Sequence, residues 1–187
     1  MRAKHRVLKG GLKTVEAESI EVKGLISDEG VECDVYEVEV TLNRHGKTHK
    51  RRFAEKRFKT RHSDDISTSE NPRLQHGVMR ELIASNREQD MGLNILPTIR
   101  LRDAGEKKPR LVVSLFDEPT DLNRQELQDF NADMERQMRS ARAHGWIVRN
   151  DSFCPVRDDE LGVVAVIADF GGVTPPKDVL DRVRSKR

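Results

Sequence analysis

Two aspartates in the last part of the chain have the residue type and the setting for metal and proton chemistry. Asp169 follows the apolar run Val163–Ala168 and opens the triplet Asp169-Phe170-Gly171. A strand that ends in a glycine turn would hold this carboxylate in one place, and carboxylate oxygens bind Mg²⁺ beside phosphate groups. Asp151 lies 18 residues earlier, with a predicted hairpin between the two. This arrangement predicts a metal ligand and a proton acceptor in one crevice, with an ordinary Asx turn as the alternative for Asp151.

A lysine, a glutamate and a glycine farther upstream could complete a phosphate site. Lys56 lies on a half-apolar strand, where its ammonium can reach a phosphate if a carboxylate holds it in place. Glu81, on a predicted helix, is the candidate for that carboxylate. Gly30 lies in a turn between strands, where a glycine lets backbone N–H groups approach an anion closely. The alternatives are a lysine on a solvated strand face and an ordinary turn glycine.

Hydrophobic periodicity predicts the elements that would position these residues. The alternation over Val35–Leu42 is typical of a half-buried strand, and Asn43–Lys47 has the composition of a hairpin turn. The predicted strands are 19–26, 35–42, 49–59, 95–99, 110–116, 146–148, 152–156 and 163–171, and the predicted helices are 74–90 and 123–144. This order indicates an α+β fold.

The second predicted helix has an apolar stripe at helical spacing, and Gly145 ends it. The stripe consists of Leu127, Phe130, Met134, Met138 and Ala141. The tail 173–187 contains two prolines and has room for no more than a short charged helix.

Composition bounds the domain count and the class of partner. The 187 residues can form one domain or two small lobes, and 34 basic against 32 acidic residues give a net charge of +2. The basic segment 44–62 could meet phosphates. Cys33 and Cys154 lack the spacing of metal ligands, so we expect neither a zinc site nor a disulfide framework. Two cysteines of this kind fit a reducing compartment. No apolar run approaches the about 18 residues of a membrane helix, so we expect a cytoplasmic protein with a basic flexible lead at 1–18 and no membrane partner.

The order of these features resembles the protein kinase family over residues 20–172. The segment Asp28–Tyr36 is similar to the family's glycine-rich loop, with Gly30 at the central glycine. Asp28 and Cys33 stand where the other two glycines would be. The segment Phe53–Lys56 matches the strand that carries the nucleotide-binding lysine.

The resemblance continues through the second half of the chain. Glu81 matches the helix partner of that lysine, and Leu111–Leu122 is similar to the strand and hinge that contact adenine. Arg149-Asn150-Asp151 takes the place of the catalytic triplet, and Asp169-Phe170-Gly171 matches the magnesium motif in full.

The resemblance implies a kinase-like α+β fold with ATP and Mg²⁺ as cofactors. It implies an antiparallel-sheet N-lobe with one helix at 19–116 and a reduced, mainly helical C-lobe at 117–187. Lys56 would hold the α- and β-phosphates with Glu81 orienting it, Asp169 would bind Mg²⁺, and Asp151 would accept the proton of an acceptor hydroxyl. The other implied nucleotide contacts are Gly30, Val35 and Phe116.

Departures from the family pattern leave three functions open. Val156 stands where the family has a metal-binding asparagine, and only residues 172–187 follow the magnesium motif. One interpretation is an ATP-dependent phosphotransferase. Another is a pseudokinase, a binding or regulatory module whose reduced C-lobe is covered by a protein partner or a second copy of the chain. The third is a nucleic-acid-associated module that uses the basic hairpin 44–62, although one Trp and one Tyr provide few stacking surfaces.

Overall fold

Nine strands and three α-helices make up the described part of the chain, which confirms the α+β class. The computed structural model describes residues 17–29, 33–44, 47–59, 72–96, 98–102, 110–115 and 118–185. The strands are β1 Ala17–Ser27, β2 Cys33–Arg44, β3 Lys47–Phe58, β4 Thr98–Arg102, β5 Arg110–Ser114, β6 Ile147–Val148, β7 Phe153–Asp158, β8 Gly162–Ile167 and β9 Val173–Thr174. The helices are α1 Pro72–Glu88, α2 Arg124–Ala143 and α3 Lys177–Ser185.

Three expectations from the sequence fall outside the described residues. They are Gly30, Phe116 and the first sixteen residues of the basic lead. No helix of the described ranges is long and apolar enough to cross a membrane.

The chain divides into two compact units. The sheet unit contains the described residues of 17–76 and 98–115, and the helix–hairpin unit contains 77–96 and 118–185. The boundary falls within α1, after His76.

The sheet unit is a five-stranded antiparallel sheet in the order β1-β2-β3-β5-β4. Strands β2 and β3 pair in continuous register from Cys33 opposite Phe58 to Arg44 opposite Lys47, which confirms the predicted hairpin strands. Directly opposite residues of an antiparallel pair share a face, so this register sorts the side chains into two sets. One face carries an apolar cluster of Val38, Val40, Phe53 and Val112, with Ile20 packed against it.

A buried glutamate on the same face ties three strands together. The Glu55 carboxylate accepts hydrogen bonds from Arg57 Nε at 2.7 Å and Arg102 Nη1 at 2.9 Å, and Arg110 Nη1 lies 3.6 Å away. Burial of Glu55 raises its pKa, but the hydrogen bonds and charges of Arg57 and Arg102 outweigh that effect, and the pKa lies below its ordinary value. The carboxylate is therefore charged at neutral pH and links β3 to β4 and β5.

In the helix–hairpin unit, α2 binds β8 through the backbone of one residue. The Ala165 N–H donates to Asp133 Oδ2 at 2.9 Å, and the Ala165 carbonyl accepts from Gln137 Nε2 at 2.7 Å. Because both backbone groups of Ala165 face the helix, the opposite residue on β7 needs no N–H donor, and that residue is Pro155. Asn94 Nδ2 adds a hydrogen bond to the Ala165 carbonyl at 3.2 Å.

The segment before Pro97 lies beside β8 rather than in the sheet, so the strand expected at 95–99 is wrong in its first half. Ile95 forms a parallel bridge with Ile167, and strand β4 begins at Thr98. The Ile167 N–H donates to the Asn94 carbonyl at 2.8 Å, and the Leu96 N–H donates to the Ile167 carbonyl at 2.9 Å. Proline lacks the N–H that a continuous ladder requires, which is a physical reason for β4 to begin only at Thr98.

The apolar stripe expected on the long helix is buried in part: Ala141 is buried, Phe130, Met134 and Met138 are half-buried, and Leu127 is exposed. The helix begins with a capping box between Asn123 and Glu126, and its buried residues are Gln137 and Ala141. Leu127, at the start of the expected stripe, is 48% exposed. A polar residue occupies the buried face because it bonds the backbone of β8, and a purely apolar pattern does not reveal such a contact.

The tail forms β9 and an amphipathic helix, which is more structure than the sequence pattern indicated. Helix α3 buries Val179 and Val183. A Cβ atom at Gly77 of α1 would collide with Val183 Cγ1, so the missing side chain allows α1 and α3 to approach closely. Arg182 Nη2 lies 3.5 Å from Glu81 Oε2 across the same pair of helices.

Replacement of Glu55 by Gln tests the buried carboxylate. We expect a loss of about 3 kcal/mol in unfolding free energy at pH 7, the low end for a broken buried pair, because the guanidiniums keep access to water. A carboxyl whose pKa is lowered on folding stabilises the protein above its ordinary pKa of 4.5, and this contribution is lost as the pH falls through the folded value. The difference between wild type and Glu55→Gln should therefore shrink below about pH 4.5.

Urea unfolding between pH 7 and pH 3 measures this difference. Glu21→Gln is the matched control, because that carboxylate is 65% exposed on β1. A constant gap between wild type and Glu55→Gln across this pH range would contradict the assignment.

Candidate phosphate and metal site

Two short sheets of the helix–hairpin unit bring together the loops that carry the predicted aspartates. Strands β7 and β8 form an antiparallel hairpin, and β6 pairs antiparallel with β9. The loops that leave these strands, 149–152 and 168–172, are called the aspartate loops below. Asp151 lies on the first loop and Asp169 on the second.

Backbone hydrogen bonds join the two aspartate loops directly. The Arg149 N–H donates to the Gly172 carbonyl at 3.1 Å. The Ser152 carbonyl accepts from the Ala168 N–H at 2.9 Å and from the Asp169 N–H at 3.2 Å. The structure therefore places the two predicted aspartates in adjacent loops, and the contacts that hold them there are independent of either carboxylate.

A glycine lets the aspartate loops approach closely. A Cβ atom at Gly172 would collide with Ser152 Oγ and would lie 3.3 Å from Asp151 Oδ1 and from Arg149 Cβ. Ser152 is fully buried, and its hydroxyl has no hydrogen-bond partner within the ranges that the structure covers. A side chain at position 172 therefore requires Ser152 or the first loop to move.

The two aspartates have different surroundings. Asp169 is half-buried, its Oδ1 accepts from the Gly171 N–H at 3.3 Å, and the neighbouring Phe170 is buried. Asp151 lies on a 3₁₀ turn, with its carboxylate 54% exposed and in contact with the Arg149 guanidinium. An exposed ion pair contributes about 0–1 kcal/mol, so this contact can be exchanged for a ligand at small cost.

The donor set fits a hard cation only in combination with a bound anion. No cluster of three or more His, Cys, Asp or Glu side chains suited to a metal occurs among the described residues. Mg²⁺ commonly takes one or two carboxylates, which Asp169 and Asp151 can supply, and it completes its shell with water and phosphate oxygens. Val156 packs against the apolar cluster of β8, so its position provides no metal ligand.

In the sheet unit, Lys56 and Val35 share a face. They lie directly opposite each other on β3 and β2, and Leu111 lies opposite Lys56 on β5. Leu111 is buried and Val35 half-buried, so apolar side chains flank the half-buried Lys56 on both neighbouring strands. This is the setting predicted for a lysine whose stem lies over an apolar surface.

Glu81, the predicted partner of Lys56, contacts Arg182 of α3. Lys56 belongs to the sheet unit and Glu81 to the helix–hairpin unit. The predicted pairing of the two stays a prediction.

Part of the basic hairpin is neutralised within the sheet. Lys50 Nζ lies 3.0 Å from Glu39 Oε1, and Arg52 Nη2 donates to Glu37 Oε2 at 2.8 Å. These cross-strand pairs reduce the positive field that nucleic-acid binding through 44–62 would use.

Sequence reasoning missed Ser152 and Gly172, which set the distance between the aspartate loops. The doublet Gly171-Gly172 was the available signal, because a glycine allows a close backbone approach. Arg149 was recognised only as a replacement within the catalytic triplet, and not as a contact of Asp151.

Comparisons with known proteins give a weak structural similarity. No protein-family model matches the chain, and no curated protein does. A solved structure of the Legionella pneumophila kinase Lpg2603 bound to IP6 is similar at 10% sequence identity and a TM-score of 0.43, over 92% of this chain and 74% of that one. At these values the similarity does not establish a shared fold.

A double-mutant cycle tests the close approach of the aspartate loops. Gly172→Ala should cost about 1–3 kcal/mol of unfolding free energy, as overpacking typically does. In a Ser152→Ala background the same change should cost less, because the colliding oxygen is gone and its burial was uncompensated. Urea unfolding of the four proteins gives the coupling energy. Gly24→Ala is the control, since no atom lies within 4 Å of a Cβ there. Strictly additive effects of Gly172→Ala and Ser152→Ala would contradict the contact.

Proposed function

We propose that the chain is a kinase-like phosphotransferase that binds ATP with Mg²⁺ and transfers the γ-phosphate to a hydroxyl acceptor. The observation that supports this most is the joining of the aspartate loops, which holds Asp151 and Asp169 in adjacent loops of one unit. Phosphoryl transfer depends mainly on positioning and on neutralising charge. Two carboxylates on fixed, adjacent loops are suited to both tasks.

Each aspartate has a separate role in this proposal. Asp169, half-buried behind the anchored Phe170, would bind the Mg²⁺ that neutralises phosphate charge. Asp151, the more exposed of the two, would accept the proton of the acceptor hydroxyl. The acceptor oxygen forms a bond to the γ-phosphorus, the bond from that phosphorus to the bridging oxygen breaks, and ADP leaves.

The remaining roles rest on the resemblance to protein kinases. Lys56 would bind the α- and β-phosphates, Glu81 would orient Lys56, and Val35 would contact the nucleotide. Gly30 and Phe116 are further proposed contacts. The apolar neighbours of Lys56 on β2 and β5 are compatible with its role.

A specific observation favours a second candidate, a pseudokinase that binds nucleotide without transfer. Val156 occupies the position of the family's second metal ligand, and its side chain packs into an apolar cluster. A site with one metal ligand fewer would still bind a nucleotide but would neutralise less charge during transfer.

Thermal unfolding with ATP and Mg²⁺ tests nucleotide binding. At a ligand concentration of about 100 Kd, binding adds about 2.7 kcal/mol, which corresponds to a rise in Tm of about 5–10 °C for a chain of this size. Asp169→Asn should abolish the dependence of this rise on Mg²⁺, and Lys56→Ala should reduce the rise itself. The matched controls are Asp159→Asn in the β7–β8 turn and Lys50→Ala on β3, which should behave as wild type. The absence of any shift in the wild type would refute nucleotide binding.

Transfer of labelled phosphate to added acceptors or to the protein itself separates the two candidates. Asp151→Asn should retain the ATP-dependent rise in Tm and lose transfer. A wild-type protein that binds ATP but labels nothing supports the pseudokinase.

A further inference from the structure

Strand β1 forms one edge of the five-stranded sheet. It extends over 11 residues and pairs with β2 from one end to the other. Within the described ranges, no strand lies on its other side. An edge strand presents a row of backbone N–H and C=O groups that can pair with another extended chain. Because ordinary strands have about 5–6 residues, β1 offers a long edge for such pairing.

The apolar face of the sheet continues to this edge. Val22 lies opposite Val38 of the buried cluster, and Leu25 lies opposite Tyr36, so both share the face of that cluster. Val38 is fully buried, whereas Val22 and Leu25 are 44% and 52% exposed and the nearby Ile26 is 47% exposed. Exposed apolar side chains on an edge strand mark a site of association, and a further strand beside β1 would cover them.

The opposite face of β1 carries a glutamate and a lysine on either side of Val22. Lys23 Nζ lies 2.9 Å from Glu21 Oε2 and 3.6 Å from Glu39 Oε1 on β2. A lysine on an edge usually discourages pairing with another strand, but the ammonium of Lys23 lies beside these two carboxylates. Because an exposed ion pair contributes about 0–1 kcal/mol, Glu21 and Lys23 can exchange partners at small cost.

We propose that β1 is a dimerisation edge, to which β1 of a second copy of the chain adds in antiparallel orientation with Val22 on the twofold axis. Val22 is the central residue of the strand, so this register pairs the two copies of β1 over their full length. It places Glu21 of each copy opposite Lys23 of the other and brings the two Val22 side chains together. A shift of one residue in either direction would remove both charge pairs.

The charge pattern identifies the second strand as a copy of β1. A strand that pairs antiparallel with Glu21-Val22-Lys23 must itself read acidic, apolar and basic to match it in charge, and β1 has this sequence. The interface would join two five-stranded sheets into one and extend the apolar face across the twofold axis. It uses neither Lys56 nor the aspartate loops, so it does not rest on the proposed function.

Charge reversal at the two positions tests the interface and includes its own rescue. In sedimentation equilibrium, the mass of the wild type should rise with concentration from 21.4 kDa toward twice that value. Glu21→Lys and Lys23→Glu each place like charges opposite each other twice, so we expect the Kd of the dimer to rise about tenfold or more. An equimolar mixture of the two variants should dimerise as the wild type does, because one variant then supplies only positive charges at these positions and the other only negative ones.

Glu135→Lys and Arg139→Glu are the matched controls. They reverse an exposed ion pair on α2 and should dimerise as the wild type. A wild type that stays monomeric throughout the concentration series would overturn the proposal. Single variants at positions 21 and 23 that dimerise as the wild type, or a mixture that associates no better than its components, would do the same. Each of these outcomes leaves the ATP and Mg²⁺ test of the proposed function intact.

Discussion

The hydrogen bonds between α2 and the backbone of Ala165 are the constraint on which the aspartate loops depend. Strand β8 has β7 on one edge, and at Ala165 its other edge is completed by side chains of a helix. A buried backbone group without a partner costs about as much as a lost hydrogen bond, so a shift of β8 along the helix would leave both groups of Ala165 unpaired. The strand is thereby restricted to one register, and Asp169, four residues farther on, is fixed with it.

Carboxylates serve opposite purposes in the two units. Glu55 is fully buried and shared among arginines, so its charge stabilises the sheet and is screened from water. Asp151 and Asp169 keep access to solvent, and the loops that carry them are held by backbone groups. The Asp151 carboxylate is paired with the exposed Arg149 guanidinium, a contact that a ligand can replace at small cost. A buried carboxylate that is shared among arginines has a structural role, whereas a solvent-accessible carboxylate on a loop held by backbone hydrogen bonds is a candidate catalytic group.

Local patterns in the sequence carried enough information for most of the elements. Alternation along β2, the helical spacing within α1 and α2, and the turn chemistry around Gly162 are set by neighbours in sequence, and the structure has elements at those places. The burial of Gln137 could not be predicted, because its side chain bonds Ala165 of β8, which lies 28 residues farther along the chain. The arginines around Glu55 were likewise invisible, since β4 and β5 come together with β3 only in the folded sheet.

The candidate site could likewise be predicted only in part. The types and order of Asp151 and Asp169 are a property of the sequence, and adjacency of their loops follows from a hairpin that the sequence indicated. The collision between a Cβ atom at position 172 and Ser152 Oγ depends on interatomic distances smaller than a side chain. A sequence pattern contains no such distances. The predicted pairing of Lys56 with Glu81 would involve residues of two different units, and the sequence supports it only through resemblance.

The contact between Gly77 and Val183 restricts how chains of this kind can diverge. No side chain fits at position 77 while a valine lies against it. A related chain with a larger residue at the first position must therefore carry a smaller one at the second, or lose the packing of α3 on α1. Paired changes at these two positions would be the evolutionary trace of a helix contact that neither residue reveals alone.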